Sequence, residues 1–221
     1  MGPRAHLPED LMLLMGIDEA GRGCVLGPLV VAAFACDIQR LEAVAATGVT
    51  DSKKLSAKRR QALIEPLAAL GRAEIHEITP AQIDAANINT LELEAMAVLI
   101  RSRRPDAVWI DGPVHPRGIP RFERELRALL DHEPQLVIEP KADLNYPVVS
   151  AASIFAKVTR DAHITALPEV GSGYPSDPTT REHLRQLIAT GEPLPSYVRQ
   201  RWGTVRDLYQ MSLLPTPGAR P

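Results

Sequence analysis

The sequence has little cysteine, few aromatic residues and no excess of either charge. Only 2 of its 221 residues are cysteines, Cys24 and Cys36, and they do not form a CxxC pair. This excludes a disulfide framework and offers no structural zinc motif. With 25 Lys and Arg against 27 Asp and Glu, the chain also lacks the global basic excess of many nucleic-acid-binding proteins. Binding to a nucleic acid would therefore require a local patch.

Long apolar runs are missing as well. The run at residues 11–17 is too short for a membrane helix, and it leads into Asp18 and Glu19 without a cleavage-site pattern. Position 6 is His6, where a myristoylation signal requires Ser or Thr. We therefore expect a protein of the reducing cytoplasm with no membrane partner, and a monomer is the default expectation.

Apolar patterns typical of strands and of helices alternate along most of the chain. Strands are predicted at residues 11–17, 28–36, 73–78, 107–110 and 135–139, and helices at 57–70, from Pro80, and at 89–103, 120–130 and 148–166. After residue 171 the pattern changes to a turn-rich stretch, a helix around residues 180–190 and a proline-rich end. We predict an α/β core at 11–168, a helical segment at 169–210, and flexible tails at 1–10 and 211–221.

Four acidic residues, Asp18, Glu19, Asp111 and Asp143, lie where predicted extended segments end. Carboxylates are hard oxygen ligands that suit Mg²⁺ or Mn²⁺. Two such ions about 3.5–4 Å apart can activate water and stabilise the leaving oxygen in phosphodiester hydrolysis. The alternative is that each acid is a solvated turn residue. Adjacent Asp18 and Glu19 would also point to opposite faces of a regular strand, so their convergence requires the backbone to depart from that geometry.

A glycine-rich turn follows the first two acids at Gly21, Arg22 and Gly23. Because glycine has no Cβ, such a turn allows main-chain amides and a guanidinium to approach a phosphate or sugar closely. The alternative is a tight hairpin turn with a solvated arginine. A basic segment, which includes Lys53 and residues 58–60, either contacts a nucleic-acid backbone or forms a solvated face.

Two further positions are candidates for substrate contacts. Ser150 lies on the same predicted helix as Ser153, Lys157 and Arg160, and its hydroxyl faces either a phosphate backbone or carbonyls of its own helix. Tyr174 lies in a Gly-Tyr-Pro turn, where it either stacks on a sugar or base or covers a hydrophobic edge.

Six sequence strings resemble, in order and spacing, those of the ribonuclease HII family. They are GIDEAGRG at 16–23, DSKKLS at 51–56, IDG at 110–112, KAD at 141–143, VVSAASIFAKVTRD at 148–161 and GSGYPSDP at 171–178. The resemblance covers residues 12–205, and the last three strings are closer to the archaeal branch. It implies an α/β fold of the ribonuclease H-like type, a mixed β-sheet flanked by helices, with a C-terminal helical segment that helps to hold the substrate.

The resemblance also implies an activity. The family cuts the RNA strand of RNA-DNA hybrids and nicks duplex DNA 5′ to embedded ribonucleotides, leaving 3′-hydroxyl and 5′-phosphate ends. Its catalytic metal ligands correspond to Asp18, Glu19, Asp111 and Asp143. Its glycine-arginine-glycine turn, residues 21–23 here, grips the ribose 2′-hydroxyl that DNA lacks, and the tyrosine matching Tyr174 packs on the next sugar.

Two other functions stay open: a catalytically silent module that binds RNA-DNA hybrids, and a metal-dependent phosphohydrolase of small molecules. Four mutually repelling carboxylates argue against the first, because a mere binder gains nothing from them. Tyr174 and the basic segment argue against the second. One departure from the family is Cys24, which replaces a frequent proline. Another is the tail after Arg206, which has no recognisable sliding-clamp motif, so a clamp partner is possible but not indicated.

Overall fold

The computed structural model describes residues 12–49 and 55–212, which form a five-stranded sheet with helices on both faces. The strands are β1 Leu13–Ala20, β2 Leu29–Asp37, β3 Arg72–Ile78, β4 Ala107–Asp111 and β5 Gln135–Glu139. The helices are α1 Leu41–Ala46, α2 Ala57–Leu70, α3 Pro80–Ala85, α4 Ile88–Arg103, α5 Ile119–Ala128, α6 Pro147–Thr165, α7 Pro178–Ala189 and α8 Gly203–Ser212. The predicted mixed sheet flanked by helices is confirmed.

The strand order is β3-β2-β1-β4-β5. β1 and β2 form an antiparallel pair, while β4 lies parallel to both β1 and β5. In the β1–β4 pair, Ile17 lies opposite Ile110. Parallel strands end at the same edge of a sheet, so the residues that follow this pair, Asp18 and Asp111, emerge side by side.

Helix α6 lies directly against β1. A Cβ on Gly16 would come within 2.2 Å of the Val148 carbonyl carbon, so only glycine permits this approach. Most of the first half of α6 is buried. The close packing brings the face of α6 that carries Ser153 and Lys157 next to the end of β1.

The predicted helix starts are confirmed where local capping determines them. Ser56 Oγ accepts a hydrogen bond of 3.2 Å from the Arg59 amide at the start of α2. Thr79 forms a capping box with Gln82 at the start of α3, with Pro80 as the first helical residue. Strand β1, in contrast, continues past residue 17, so Asp18 and Glu19 lie within a regular strand paired with β2.

Helices α1 and α8 do not follow from the sequence patterns. In α8, the first residues have low helix propensity, Gly203 above all. The helix is stabilised instead by Val205 and Leu208, which are buried in a third apolar cluster together with Leu26 of the core. Tertiary packing therefore decides this element, and local preference does not.

The segment after α6 is attached to the chain that follows the glycine-rich turn. Val198 forms an isolated antiparallel bridge with Leu26, and the Gly27 amide donates a hydrogen bond of 2.8 Å to the Tyr197 carbonyl. The C-terminal segment thus packs beside the turn.

Both cysteines are buried, and neither forms a disulfide. Among the helices of the described ranges, none combines the length and the hydropathy that crossing a bilayer requires. Both predicted tails, at 1–10 and 211–221, fall on chain ends of which only residues 211 and 212 are described, and these two belong to α8.

Candidate metal and substrate site

Three of the four predicted acids converge. Asp18 of β1, Asp111 at the end of β4 and Asp143 each offer a carboxylate oxygen, and these oxygens all lie within 4.8 Å of one another. Asp143 lies in a short 3-10 turn, Ala142–Leu144, after β5. This turn is tied to β4 by a hydrogen bond of 3.2 Å from the Ala142 amide to Asp111 Oδ1. The parallel register of the strands explains why residues so distant in sequence meet.

Glu19 lies beside this group and is not one of its three members. It follows Asp18 in a regular strand, and its amide donates a hydrogen bond of 2.7 Å to Asp18 Oδ1. Its Oε2 atom is inaccessible to solvent, and no donor in the described chain hydrogen-bonds to it. A buried carboxylate oxygen without a donor fits a position that a cation would occupy.

The raised pKa values of the acids also fit a site for a divalent cation. Burial, opposed by a Ser153 hydrogen bond and the Lys157 charge and assisted by the Asp111 carboxylate, raises the pKa of Asp18 to about 6. Burial, followed by repulsion from Asp18 and Asp111, raises the pKa of Glu19 to about 8. Carboxylates crowded in this way are stabilised in the charged form by a divalent cation. The donor set, all oxygen, suits Mg²⁺ or Mn²⁺.

One cavity of ≈ 350 Å³ joins these acids to the other predicted substrate contacts. Its walls include Asp18, Glu19, Asp111, the turn residues Gly21, Arg22 and Gly23, Lys157, Arg160 and Tyr174. Residues predicted as metal ligands and residues predicted as ribose contacts therefore line one cavity. Arg60 of the basic segment also lines it, whereas Lys58 and Arg59 are exposed.

The glycine-rich turn has a conformation that requires glycine at its first position. Gly21 has φ +87°, and a Cβ there would lie 2.8 Å from the Pro28 carbonyl oxygen. At Gly23, a Cβ would meet only the ring of Tyr174, at 4.0 Å. Gly21 is thus required by the backbone, whereas Gly23 leaves open the space in front of Tyr174.

The Arg22 guanidinium is held by α4. It forms an ion pair with the buried carboxylate of Glu92 and donates a hydrogen bond of 2.5 Å to Asn89 Oδ1. A solvated arginine, one of the two interpretations of the turn, is therefore not what the structure contains. Arg22 and Gly23 both form part of the cavity wall.

Tyr174 is 41% exposed and lies against Arg160, whose guanidinium carbon is 5.0 Å from the ring centroid. Arg160 also donates hydrogen bonds to the Ser172 carbonyl and, at 3.1 Å, to Cys24 Sγ. The Gly173 carbonyl accepts a hydrogen bond of 2.8 Å from the Val25 amide. These contacts fix the tyrosine turn next to the glycine-rich turn.

The two remaining candidates differ from the rest. Ser150 is buried, and its hydroxyl donates to the main-chain carbonyls of Asp143 and Tyr146, the latter at 3.3 Å. It is not part of the cavity wall, and it supports the turn that carries Asp143. Lys53 lies outside the described residues.

The structure adds residues that sequence reasoning did not assign to the site. Lys157 Nζ donates a hydrogen bond of 2.9 Å to Ser153 Oγ, and both residues influence Asp18. Their spacing of four residues on a predicted helix was the available signal. Glu92, the ion-pair partner of Arg22, gave no such signal, because a charged residue in a helix is ordinarily exposed.

Comparisons with known proteins agree with this geometry. The sequence model of the family described as Ribonuclease HII matches residues 15–205. A ribonuclease HII from Archaeoglobus fulgidus is 45% identical over 208 residues, which cover 90% of this chain and 97% of that protein. The crystal structure of ribonuclease H2 from Pyrococcus horikoshii has a TM-score of 0.83 at 38% identity, covering 90% of this chain and 98% of that one.

A second solved structure is the PCNA:RNase HII complex from Archaeoglobus fulgidus, with a TM-score of 0.79 and 44% identity over 88% of this chain and 96% of that chain. Near-complete coverage in both directions, by sequence and by structure, includes every element that carries the site. The chain belongs to the ribonuclease HII family of metal-dependent endoribonucleases.

Proposed function

We propose that this protein nicks duplex DNA 5′ to embedded ribonucleotides and hydrolyses the RNA strand of RNA-DNA hybrids, leaving 3′-hydroxyl and 5′-phosphate ends. Membership of the family supports ribonuclease H activity on hybrids. The finer proposal depends on one observation, which is that Asp18, Glu19 and Asp111 line the same cavity as the glycine-rich turn and Tyr174. Asp143 lies next to this wall, with a carboxylate oxygen within 4.8 Å of those of Asp18 and Asp111.

Asp18, Glu19, Asp111 and Asp143 are the proposed ligands of Mg²⁺ or Mn²⁺. When bound, two such ions would activate a water and stabilise the leaving oxygen of the phosphodiester. The carboxylates would hold the ions, because Asp18 and Asp111 lie side by side at the edge where β1 and β4 end. Lys157, which faces the same cavity, adds a positive charge that attracts the scissile phosphate.

Recognition of the ribose is assigned to the turn at residues 21–23. The main-chain amides of Arg22 and Gly23 donate no hydrogen bond within the described chain, and both residues line the cavity. They are therefore available to the 2′-hydroxyl and to a neighbouring phosphate oxygen. Tyr174, half exposed opposite Gly23, would pack on the adjoining sugar and favour a junction between RNA and DNA.

The test is a cleavage assay on a DNA duplex that carries one ribonucleotide. It is run with Mg²⁺, with Mn²⁺ and with chelator, beside an all-DNA duplex of the same sequence and a fully RNA-substituted strand. We expect metal-dependent nicking 5′ to the ribonucleotide, with a 3′-hydroxyl on one side of the nick and a 5′-phosphate, removable by phosphatase, on the other. Tight binding without nicking would favour the silent binding module. Hydrolysis of small phosphate esters that hybrid duplex does not inhibit would favour the phosphohydrolase.

Recruitment by a sliding clamp is a separate proposal. The Archaeoglobus relative was solved in a complex with PCNA. The end of this chain lies outside the described residues, so its structure offers no contact to argue from. Gel filtration of the protein alone and with a clamp tests both the expected monomer and clamp binding.

A further inference from the structure

Arg199 occupies an unusual position under the glycine-rich turn. It is fully buried, and its guanidinium donates hydrogen bonds to three main-chain carbonyls. Nε donates to Gly27 at 3.0 Å, Nη1 to Arg22 at 3.0 Å and Nη2 to Gly21 at 2.7 Å. In the described ranges, no carboxylate lies within 4.0 Å of this guanidinium, which also lies 5.2 Å from the centroid of the Trp202 ring.

The hydrogen bonds to Gly21 and Arg22 act on the direction in which two amides point. The Gly21 carbonyl also accepts a hydrogen bond of 3.2 Å from the Cys24 amide, whereas the contact to the Arg22 carbonyl comes from Arg199. The Gly21 carbonyl shares a peptide unit with the Arg22 amide, and the Arg22 carbonyl shares one with the Gly23 amide. Both units are trans, because no cis peptide occurs in the described chain. In a trans peptide the N–H and C=O groups point in opposite directions. With both carbonyls directed at Arg199, both amides are directed away from it.

Attachment of the C-terminal segment does not require the guanidinium. The Arg199 amide donates a hydrogen bond of 2.9 Å to the Val25 carbonyl, and the neighbouring Val198 pairs with Leu26. Main-chain contacts therefore hold this segment against the core. Burying a charged side chain is costly, and an apolar residue of similar length would fill the space without that cost.

We infer that Arg199 is a positioning residue for ribose recognition: by holding the Gly21 and Arg22 carbonyls, it aims the Arg22 and Gly23 amides at the substrate's 2′-hydroxyl and phosphate. This inference rests on the proposed function. Arginine suits the task because its planar fork presents several donors in fixed directions, whereas a lysine ammonium is a single point of attachment.

The test compares Arg199→Met, which has no donor, and Arg199→Lys, which keeps the charge, with Leu208→Ala as the control. Leu208 belongs to the same C-terminal segment as Arg199 and is buried in the third apolar cluster. It makes none of these hydrogen bonds, so its truncation reports loss of stability alone. The quantities measured are KM and kcat on the single-ribonucleotide duplex, and the inhibition constant of the matching all-DNA duplex. The ratio of that inhibition constant to KM measures ribose recognition.

In Arg199→Met we expect the ratio to fall by about tenfold, the effect of losing roughly one well-aligned hydrogen bond to the 2′-hydroxyl, with the metal requirement unchanged. Loss of the phosphate contact affects both duplexes and therefore cancels in the ratio. Arg199→Lys should show a smaller fall, and Leu208→Ala should keep the wild-type ratio. If Arg199→Met does not fold, Arg199→Lys is compared with the control alone.

A wild-type ratio in a folded Arg199 variant would overturn the inference while leaving the proposed function intact. An equal fall in Leu208→Ala would also overturn it, because the ratio would then follow stability. A ratio near one in the wild-type enzyme would instead contradict the proposed function, because the enzyme would then not distinguish the ribonucleotide duplex from all-DNA duplex.

Discussion

Ile17 of β1 and Ile110 of β4 are register partners in a parallel pair, one residue before Asp18 and Asp111. This single pairing places two carboxylates from separate strands at one edge of the sheet. The metal site therefore depends on strand register, since a slip of one residue would turn one of the two side chains to the other face.

Replacing Asp111 by Asn should abolish turnover while sparing substrate affinity. The amide keeps the shape of the side chain but removes a negative charge. The metal needs this charge as a ligand, whereas substrate binding does not, because the charge repels the phosphate. Loss of residues that merely orient ligands costs about 10–100-fold, so loss of a ligand should lower kcat by more than about 100-fold. The comparison is Asp131→Asn, an exposed acid that is paired with Arg104. Normal turnover by the Asp111 variant would show that the ligand assignment is wrong.

The affinity for divalent metal should rise with pH between about 5 and 8. Metal binding requires deprotonated carboxylates, and the pKa values of Asp18 and Glu19 are raised to about 6 and about 8. Calorimetric titration with Mg²⁺ in two buffers of different ionisation enthalpy should show proton release that decreases as pH rises. A pH-independent affinity would contradict the prediction.

The same shifts predict how the metal-free protein responds to pH. The folded-state pKa values of these acids lie above their ordinary values of 3.8 and 4.5, so the folded protein binds more protons than the unfolded chain across this window. The free energy of unfolding should therefore fall as pH rises from about 4 to about 8. Thermal melts in chelator should show this fall, and Glu19→Gln should reduce it. Added Mg²⁺ should restore stability most at the alkaline end.

Tyr174→Ala should weaken the preference for a single ribonucleotide junction over a long hybrid by roughly tenfold, since ring stacking contributes about 1–3 kcal/mol. Tyr174→Phe is the matched control, because it keeps the ring that faces Gly23 and Arg160. Cleavage rates on the two substrates, measured at equal enzyme concentration, give the preference directly. An unchanged preference in the alanine variant would argue for the alternative, a tyrosine that only covers a hydrophobic edge.

Alanine at the two turn glycines should have different effects. Gly21→Ala places a Cβ at φ +87° and 2.8 Å from the Pro28 carbonyl oxygen, so it should lower the free energy of unfolding by about 1–2 kcal/mol or more. Gly23→Ala meets only the Tyr174 ring at 4.0 Å, so the fold should tolerate it while KM for the ribonucleotide duplex rises. Urea unfolding and steady-state kinetics on both variants separate the two effects. Equal stability of the two variants would contradict this division.

Much of the fold follows from local signals in the sequence. The alternating strand and helix patterns, the serine and threonine caps at residues 56 and 79, and the proline and glycine boundaries depend on neighbours within a few residues. These signals predicted all five strands and most of the helices, with errors of a few residues at the ends. Helix α8 was missed because its stability depends on Val205 and Leu208 packing against distant residues.

The chemistry of the site was also predictable in kind. Four acids after extended segments indicated a divalent metal, and a glycine-rich turn indicated close approach of a ligand. The resemblance to the ribonuclease HII family implied that both belong to one active site. The sequence determined the residue types, because hard oxygen ligands and glycine turns are local chemical requirements.

Only the tertiary structure decided which of these residues act together. The parallel pairing of β1 with β4 groups Asp18 with Asp111 and Asp143, and the regular strand keeps Glu19 beside that group. The roles of Ser150, turned to main-chain carbonyls, and of Arg199, buried under the turn, depend on contacts across long stretches of chain. Such contacts leave no periodic pattern in the sequence, because they are created by how the sheet and the C-terminal segment pack.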